Sequence, residues 1–217
     1  MSCAPTKNKA DYTLYLVTDR TLMTTDTLEQ AVSQAIDGGC SIIQLREKDA
    51  YSRAFYETAC RLRSLTRARN VPLIINDRLD IALACGADGV HLGQKDLPCK
   101  AARAILGKDF LIGVSAATVE EAVQAEADGA DYLGVGAMHV TATKTNTRPV
   151  TPLLLSQIKS AVSIPVVAIG GINEHNIGEL QNTGIDGVAV VSAILSQPDI
   201  QKAAQLLRQK AEELFHG

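Results

Sequence analysis

LIINDRLDIALACGADGVHLGQKD, residues 73–96, is the stretch whose reading decides the fold. An apolar run at Leu73–Ile75 ends on Asn76 and Asp77, and a second run, Val90–Leu92, ends on Gly93, Gln94, Lys95 and Asp96. Between them Arg78–Cys85 carries apolar residues at Leu79, Ile81, Leu83 and Ala84, and Gly86 supplies a helix stop. Strand, helix, glycine, strand is a βαβ unit. Its right-handed crossover makes the strands parallel, so Asp77 and Asp96 leave the same edge of the sheet. Parallel α/β proteins hold their ligands at that edge. The plainer reading has Asp77 capping the following helix and Asp96 in a solvated turn.

The same alternation extends in both directions. Upstream, the strands Leu14–Val17 and Ser41–Leu45 alternate with helices at Thr25–Asp37 and Tyr51–Arg69. Downstream come helix Ala101–Leu106, strand Leu111–Val114, helix Thr118–Asp128, strand Tyr132–Gly136, helix Pro152–Ala161 and strand Val166–Ile169. A helix at Glu174–Asn182, strand Val188–Val191 and helix Ile200–Phe215 complete the count. GADGV at Gly86, GADYL at Gly129 and GIDGV at Gly184 recur where a helix hands over to a strand. Eight strand and helix pairs without a linker predict an α/β fold, a (β/α)8 TIM barrel in one domain over residues 1–217, with 1–10 as a poorly ordered arm. A doubly wound open sheet is the rival, and the lack of GxGxxG after the first strand weighs against it.

Composition narrows the function classes. With 217 residues and 46% hydrophobic content the chain can bury one large core, and its net charge of −3 argues against a nucleic-acid surface. No apolar run is long enough to span a membrane, and the first residues lack the apolar centre of a secretory signal, so a cytoplasmic protein is expected. Five cysteines, none spaced as CxxC, indicate neither a disulfide framework nor a zinc site. Small-molecule substrates are the expected partners, and the outer helix faces leave room for a homo-oligomer.

If the barrel closes, the residues after each strand share one pocket. Those residues are Arg46 and Lys48, Asn76 and Asp77, Asp96, Ser115, the polar connection containing Thr141, Thr143 and Lys144, then Gly170, Gly171 and Ser192. In strand two the period of two sets Gln44, Arg46 and Lys48 on one face and Ile43 and Leu45 on the other. The outer face of a barrel strand must meet helices, so the polar face points inward or into the mouth. Gly170 and Gly171 after strand seven and Ser192 after strand eight stand where barrels hold a phosphate. Two carboxylates suit Mg2+, and Arg46, Lys48 and Lys144 would balance a diphosphate. Together these residues suggest metal-assisted displacement of diphosphate near a second, phosphate-bearing substrate. His91, inside strand four, reads as a core residue.

YLVTDR at Tyr15, IIQLREKD at Ile42, LIINDRLDIAL at Leu73, GADGVHLGQKD at Gly86, GVSA at Gly113, TATK, AIGGI at Ala168 and VVSAI at Val190 make the chain resemble the thiamine phosphate synthase family over nearly its full length. The resemblance implies the same barrel. It implies that 4-amino-5-hydroxymethyl-2-methylpyrimidine diphosphate is joined to a (carboxy)thiazole phosphate, by a dissociative route, with release of diphosphate. By motif, Gln44, Arg46, Lys48, Asn76, Ser115 and Lys144 would hold the pyrimidine diphosphate. Thr141, Thr143, Gly171, Val191 and Ser192 would take the thiazole phosphate, and Asp77 and Asp96 would bind Mg2+. The family often has Pro and an aromatic where this chain has Ala137, Met138, His139 and Val140. A related thiazole tautomerase needs a histidine directly after the strand-six glycine, where Ala137 stands here. A non-catalytic binder of thiamine precursors is the other alternative.

Overall fold

The computed structural model describes residues 10–139 and 148–215. Eight parallel strands close into a barrel in chain order: β1 Leu14–Val17, β2 Ile42–Leu45, β3 Leu73–Asn76, β4 Gly89–Leu92, β5 Leu111–Ala116, β6 Tyr132–Val135, β7 Val166–Ile169 and β8 Gly187–Val190, with β8 returning to β1. The helices are α1 Leu28–Asp37, α2 Ser52–Ala68, α3 Leu79–Cys85, α4 Cys99–Leu106, α5 Val119–Ala127, α6 Pro152–Ala161, α7 Ser192–Leu195 and α8 Ile200–Phe215. Local chemistry sets several starts. Thr27 and Gln30 form a capping box on α1, while Thr118 and Thr151 cap α5 and α6 through their hydroxyls.

The strands sort their side chains into two cores. Outward residues such as Leu14, Ile43, Ile75, Val90, Ile112 and Val188 pack beneath the helices, in one continuous cluster with Leu28, Leu62 and Leu155. Inward residues make a separate cluster of Tyr15, Val17, Ile42, Ile74, Leu111, Tyr132, Val167 and Ala189, closed from below by Tyr12. The barrel interior is therefore filled, as the fold requires.

The recurring GAD and GID phrases prove to be clasps on the barrel floor. Asp88, Asp131 and Asp186, each just before an even-numbered strand, accept the backbone N–H of Leu73, Ile112 and Val166 at 2.7–2.8 Å. Each also binds a cation from the preceding even-numbered helix: Arg63 at 2.6 Å, Arg103 at 2.5 Å and Lys159 at 2.8 Å. The glycine two residues earlier takes positive φ, +65° at Gly86, +94° at Gly129 and +76° at Gly184, which ends the helix and turns the chain into the strand. A fourth copy, Gly39–Cys40–Ser41, lacks the carboxylate. There the Ser41 hydroxyl donates to the Leu14 carbonyl at 2.9 Å, and Arg208 of α8 pairs with Asp11 at 2.7 Å.

One expected element is different. In place of a helix over Glu174–Asn182 the chain makes a 3-10 turn, Ile177–Leu180. Asn side chains compete with helical bonding: Asn176 accepts the N–H of Asn173, Asn173 accepts that of His175, and Asn182 sits at φ +64°. Among the described residues no helix is long and apolar enough to cross a membrane. Of the four described cysteines, all free, Cys40 and Cys99 are buried.

Candidate active site

The C-terminal ends of the strands surround a cavity of about 150 Å³. Gln44, Arg46, Asn76 and Ser115 form one side of its wall, and Gly171, Val191 and Ser192 the other. The inward alternation read in β2 holds for Gln44, which is buried, and for Arg46, which is half-buried. The Arg46 guanidinium lies 3.3 Å from Asp19, and its backbone N–H donates to the Thr18 hydroxyl. Lys48 departs from the expectation: β2 ends at Leu45, the chain bends at Lys48, and the residue is exposed and outside the wall. Thr141, Thr143 and Lys144 lie outside the described residues.

Gly170 shapes the opposite rim. It adopts φ +105°, and a Cβ there would fall 2.6 Å from the Ala137 Cβ. The Asn173 and Asn176 side chains both donate to the Gly171 carbonyl, which fixes the turn after β7. Ala137, buried in the wall, accepts the Val150 N–H, while Arg148 pairs with Glu121. The ring of His139 sits 3.6 Å from Glu179. The position directly after Gly136 thus holds a methyl group with no proton to give.

The two carboxylates come from the loops after β3 and β4, which pair with each other in the sheet. Asp77 is exposed in the left-handed region at φ +62°, with its N–H donating to the His91 carbonyl at 2.9 Å. It does not cap α3, whose N-cap residue is Arg78. Left-handed backbone at a non-glycine residue is unfavourable by roughly 1–2 kcal/mol and collects at functional positions. Asp96 accepts the Gly93 N–H at 2.7 Å, so it does close a turn, and it lines a neighbouring crevice with Glu120 and Glu121 instead of the cavity wall. Among the described residues no three His, Cys, Asp or Glu side chains gather as a metal cluster. Two carboxylates are nevertheless the donor set that Mg2+ takes when waters and a substrate phosphate complete its shell, so these residues fit that ion.

Sequence reading missed the cavity floor. His91, expected in the core, points inward from β4 and lines the cavity together with Tyr15 and Tyr132. Its Nδ1 lies 3.1 Å from the Tyr132 hydroxyl and its Nε2 lies 2.9 Å from the Ser115 hydroxyl. The Tyr132 and Tyr15 hydroxyls are 2.8 Å apart, and Gln44 Nε2 donates to Tyr15 at 2.8 Å. Burial pushes both phenols well above their usual range, so they are neutral hydroxyls. The period of two was the available signal: with Val90 and Leu92 turned outward, His91 must turn in.

The chain matches the family model described as thiamine monophosphate synthase over residues 14–194. It belongs to that family. The thiamine-phosphate synthase of Ruminiclostridium cellulolyticum is 59% identical over 201 residues, spanning 93% of this chain and 96% of the relative. That of Clostridium botulinum is 52% identical over 208 residues, with 96% and 98% covered. Among solved structures, thiamine phosphate pyrophosphorylase from Pyrococcus furiosus superposes with a TM-score of 0.87 at 42% identity, covering 94% of this chain and 98% of its own. A 3-hexulose-6-phosphate synthase, 16% identical with a TM-score of 0.66 over 91% of this chain and 98% of its own, shares the fold alone. Membership in the thiamine monophosphate synthase family makes this chain an enzyme of the transferase class.

Proposed function

We propose that this enzyme joins 4-amino-5-hydroxymethyl-2-methylpyrimidine diphosphate to a (carboxy)thiazole phosphate, giving thiamine phosphate and diphosphate. The observation that carries the reading is the convergence of Gln44, Arg46, Asn76 and Ser115 with Gly171, Val191 and Ser192 around one cavity at the strand ends. Gln44 and Asn76 present amides to the pyrimidine side, and Arg46 and Ser115 present N–H and O–H donors to diphosphate oxygens. The turn at Gly171 and the Val191–Ser192 segment would take the thiazole phosphate, because glycine lets backbone N–H groups approach an anion closely. Thr141, Thr143, Lys144 and Lys48 complete the proposed set.

In the dissociative route the pyrimidinylmethyl C–O bond breaks first. Diphosphate leaves with the electron pair, and the thiazole nitrogen attacks the ring-stabilised cation. The protein contributes by holding the two rings in register and by offering donors where negative charge grows. Asp77 and Asp96 would hold Mg2+, which when bound offsets the charge of the departing diphosphate. Ala137 offers no general acid or base for tautomerisation. Incubating the protein with both precursors, with and without Mg2+, tests the reading: thiamine phosphate is expected only with the divalent ion. Full activity after chelation would remove the metal from the proposal, and no product under either condition would remove the reaction.

A further inference from the structure

Five side chains make one uninterrupted hydrogen-bond path across the barrel, from Gln44 on β2 through Tyr15, Tyr132 and His91 to Ser115 on β5. We infer that this path is proton-ordered and makes His91 a positioning residue, which holds the Ser115 hydroxyl as a donor aimed at an anionic oxygen in the cavity. The inference rests on the proposed diphosphate site only for the identity of that oxygen.

The order follows from counting protons. The Gln44 Nε2 group can only donate, so the Tyr15 oxygen accepts from it. The single Tyr15 proton then goes to Tyr132, and the single Tyr132 proton goes to His91 Nδ1. A neutral imidazole that accepts at Nδ1 carries its proton on Nε2, which donates to the Ser115 oxygen. Ser115 keeps its own proton for an acceptor in the cavity. The reverse order would require the Gln44 amide to be turned over so that Oε1 faces Tyr15; with the NH2 group on that side, the buried Tyr15 proton would have nothing there to accept it.

The strands make room for this path. A Cβ on Gly113 would lie 2.1 Å from Tyr132 Cζ and 2.6 Å from His91 Nδ1, and one on Gly134 would lie 2.9 Å from His91 Cε1. Any side chain at Gly113 would occupy the space in which Tyr132 meets His91. Tyr132 also packs against both Tyr15 and His91, with ring centroids 5.9 and 5.6 Å apart, which limits its rotation.

Nitrogen-15 NMR of histidine-labelled protein reads the order directly, with His91→Gln identifying the resonance. The expected result is a neutral ring protonated at Nε2, shifting toward a mixture in Tyr132→Phe; a ring protonated at Nδ1 overturns the inference. Kinetics supply the second readout. Ser115→Ala and Tyr132→Phe should each lower kcat by roughly ten- to a hundredfold, the scale of one hydrogen bond to an anion. In the Ser115→Ala background Tyr132→Phe should cost nothing more. Equal losses in both backgrounds would mean that the Tyr132 hydroxyl acts independently of Ser115 and would overturn the inference. If Tyr132→Phe does not fold, Tyr15→Phe breaks the path one link earlier and serves both measurements. Should the wild-type protein form no thiamine phosphate, the proposed reaction fails while the NMR result still decides the order.

Discussion

The two ends of this barrel are built from the same residue types and use them in opposite ways. On the floor, Asp88, Asp131 and Asp186 each meet a backbone N–H and a cation, so their oxygens are taken up in holding strand to strand and helix to strand. At the mouth, Asp77 stands exposed on left-handed backbone, and Arg46, Asn76 and Ser115 line open space. Carboxylates at the floor serve stability, and those at the mouth are proposed to take part in the chemistry. Substitution should separate the two roles cleanly.

The largest expected effect is on activity at the mouth. Asp77→Asn keeps a residue that tolerates positive φ, and Asp96→Asn keeps an oxygen for the Gly93 N–H, so both variants should melt like the parent. Each should lose roughly a hundredfold to a thousandfold in kcat, the scale of one charge-stabilising group. Wild-type turnover in either variant, measured at saturating Mg2+, would detach that carboxylate from the chemistry. The floor should behave conversely. Asp131→Ala leaves Arg103 and the Ile112 N–H without their shared acceptor and should cost about 2–4 kcal/mol, lowering Tm by roughly 5–15 °C. Turnover well below the melting temperature should not change.

A third substitution falls between the ends. Gly113→Ala places a methyl group against Tyr132 and should cost about 1–3 kcal/mol of stability while also lowering activity, because floor and mouth meet at that ring. A stability loss without an activity loss would show that the cavity tolerates a displaced Tyr132.

The smallest effect is in pH dependence, and it separates two aspartates at the same end. Burial outweighs the Leu73 N–H and Arg63 and holds the Asp88 carboxyl above its usual range. Its contribution is therefore complete below about pH 4 and is lost as pH rises through the raised value. At Asp11 burial also pushes upward, but the hydrogen bonds from Thr13 and Arg208 prevail and hold the carboxyl low. Its contribution is present above about pH 4 and is lost as pH falls. Plotted against pH, the Tm difference between parent and variant should slope in opposite directions for Asp88→Asn and Asp11→Asn, each in its own window. Parallel slopes would mean that Arg63 dominates at Asp88 after all.

All eight strands were legible in the sequence because buried parallel strands are short apolar runs, bounded here by glycines and polar pairs. The element between β7 and β8 was not, since apolar spacing at Ile177 and Leu180 suggests a helix while the surrounding asparagines bond locally to the backbone. Three clasps could be seen as a repeated phrase. The fourth escaped because Ser41 replaces the aspartate, and only the positive φ of Gly39 and its packing against Arg208 reveal the likeness. Positions at the mouth follow from strand ends, so the sequence could place Gln44, Arg46, Asn76 and Ser115 on the cavity wall. His91, Tyr15 and Tyr132 were passed over, because their polar tips lie in a layer that hydrophobicity alone assigns to the interior.

The floor clasps have a consequence for how the chain can be cut. Arg63 to Asp88, Arg103 to Asp131 and Lys159 to Asp186 bracket successive segments, and Arg208 with Asp11 ties the last helix to the residues before the first strand. Among the described residues, none of these brackets crosses the connections that follow β2 or β4. A circular permutant opened at one of those two seams, with the chain rejoined beyond Arg208 and Asp11, would retain every bracket, so it should keep its fold even where the cut disturbs Lys48 or Asp96 at the mouth.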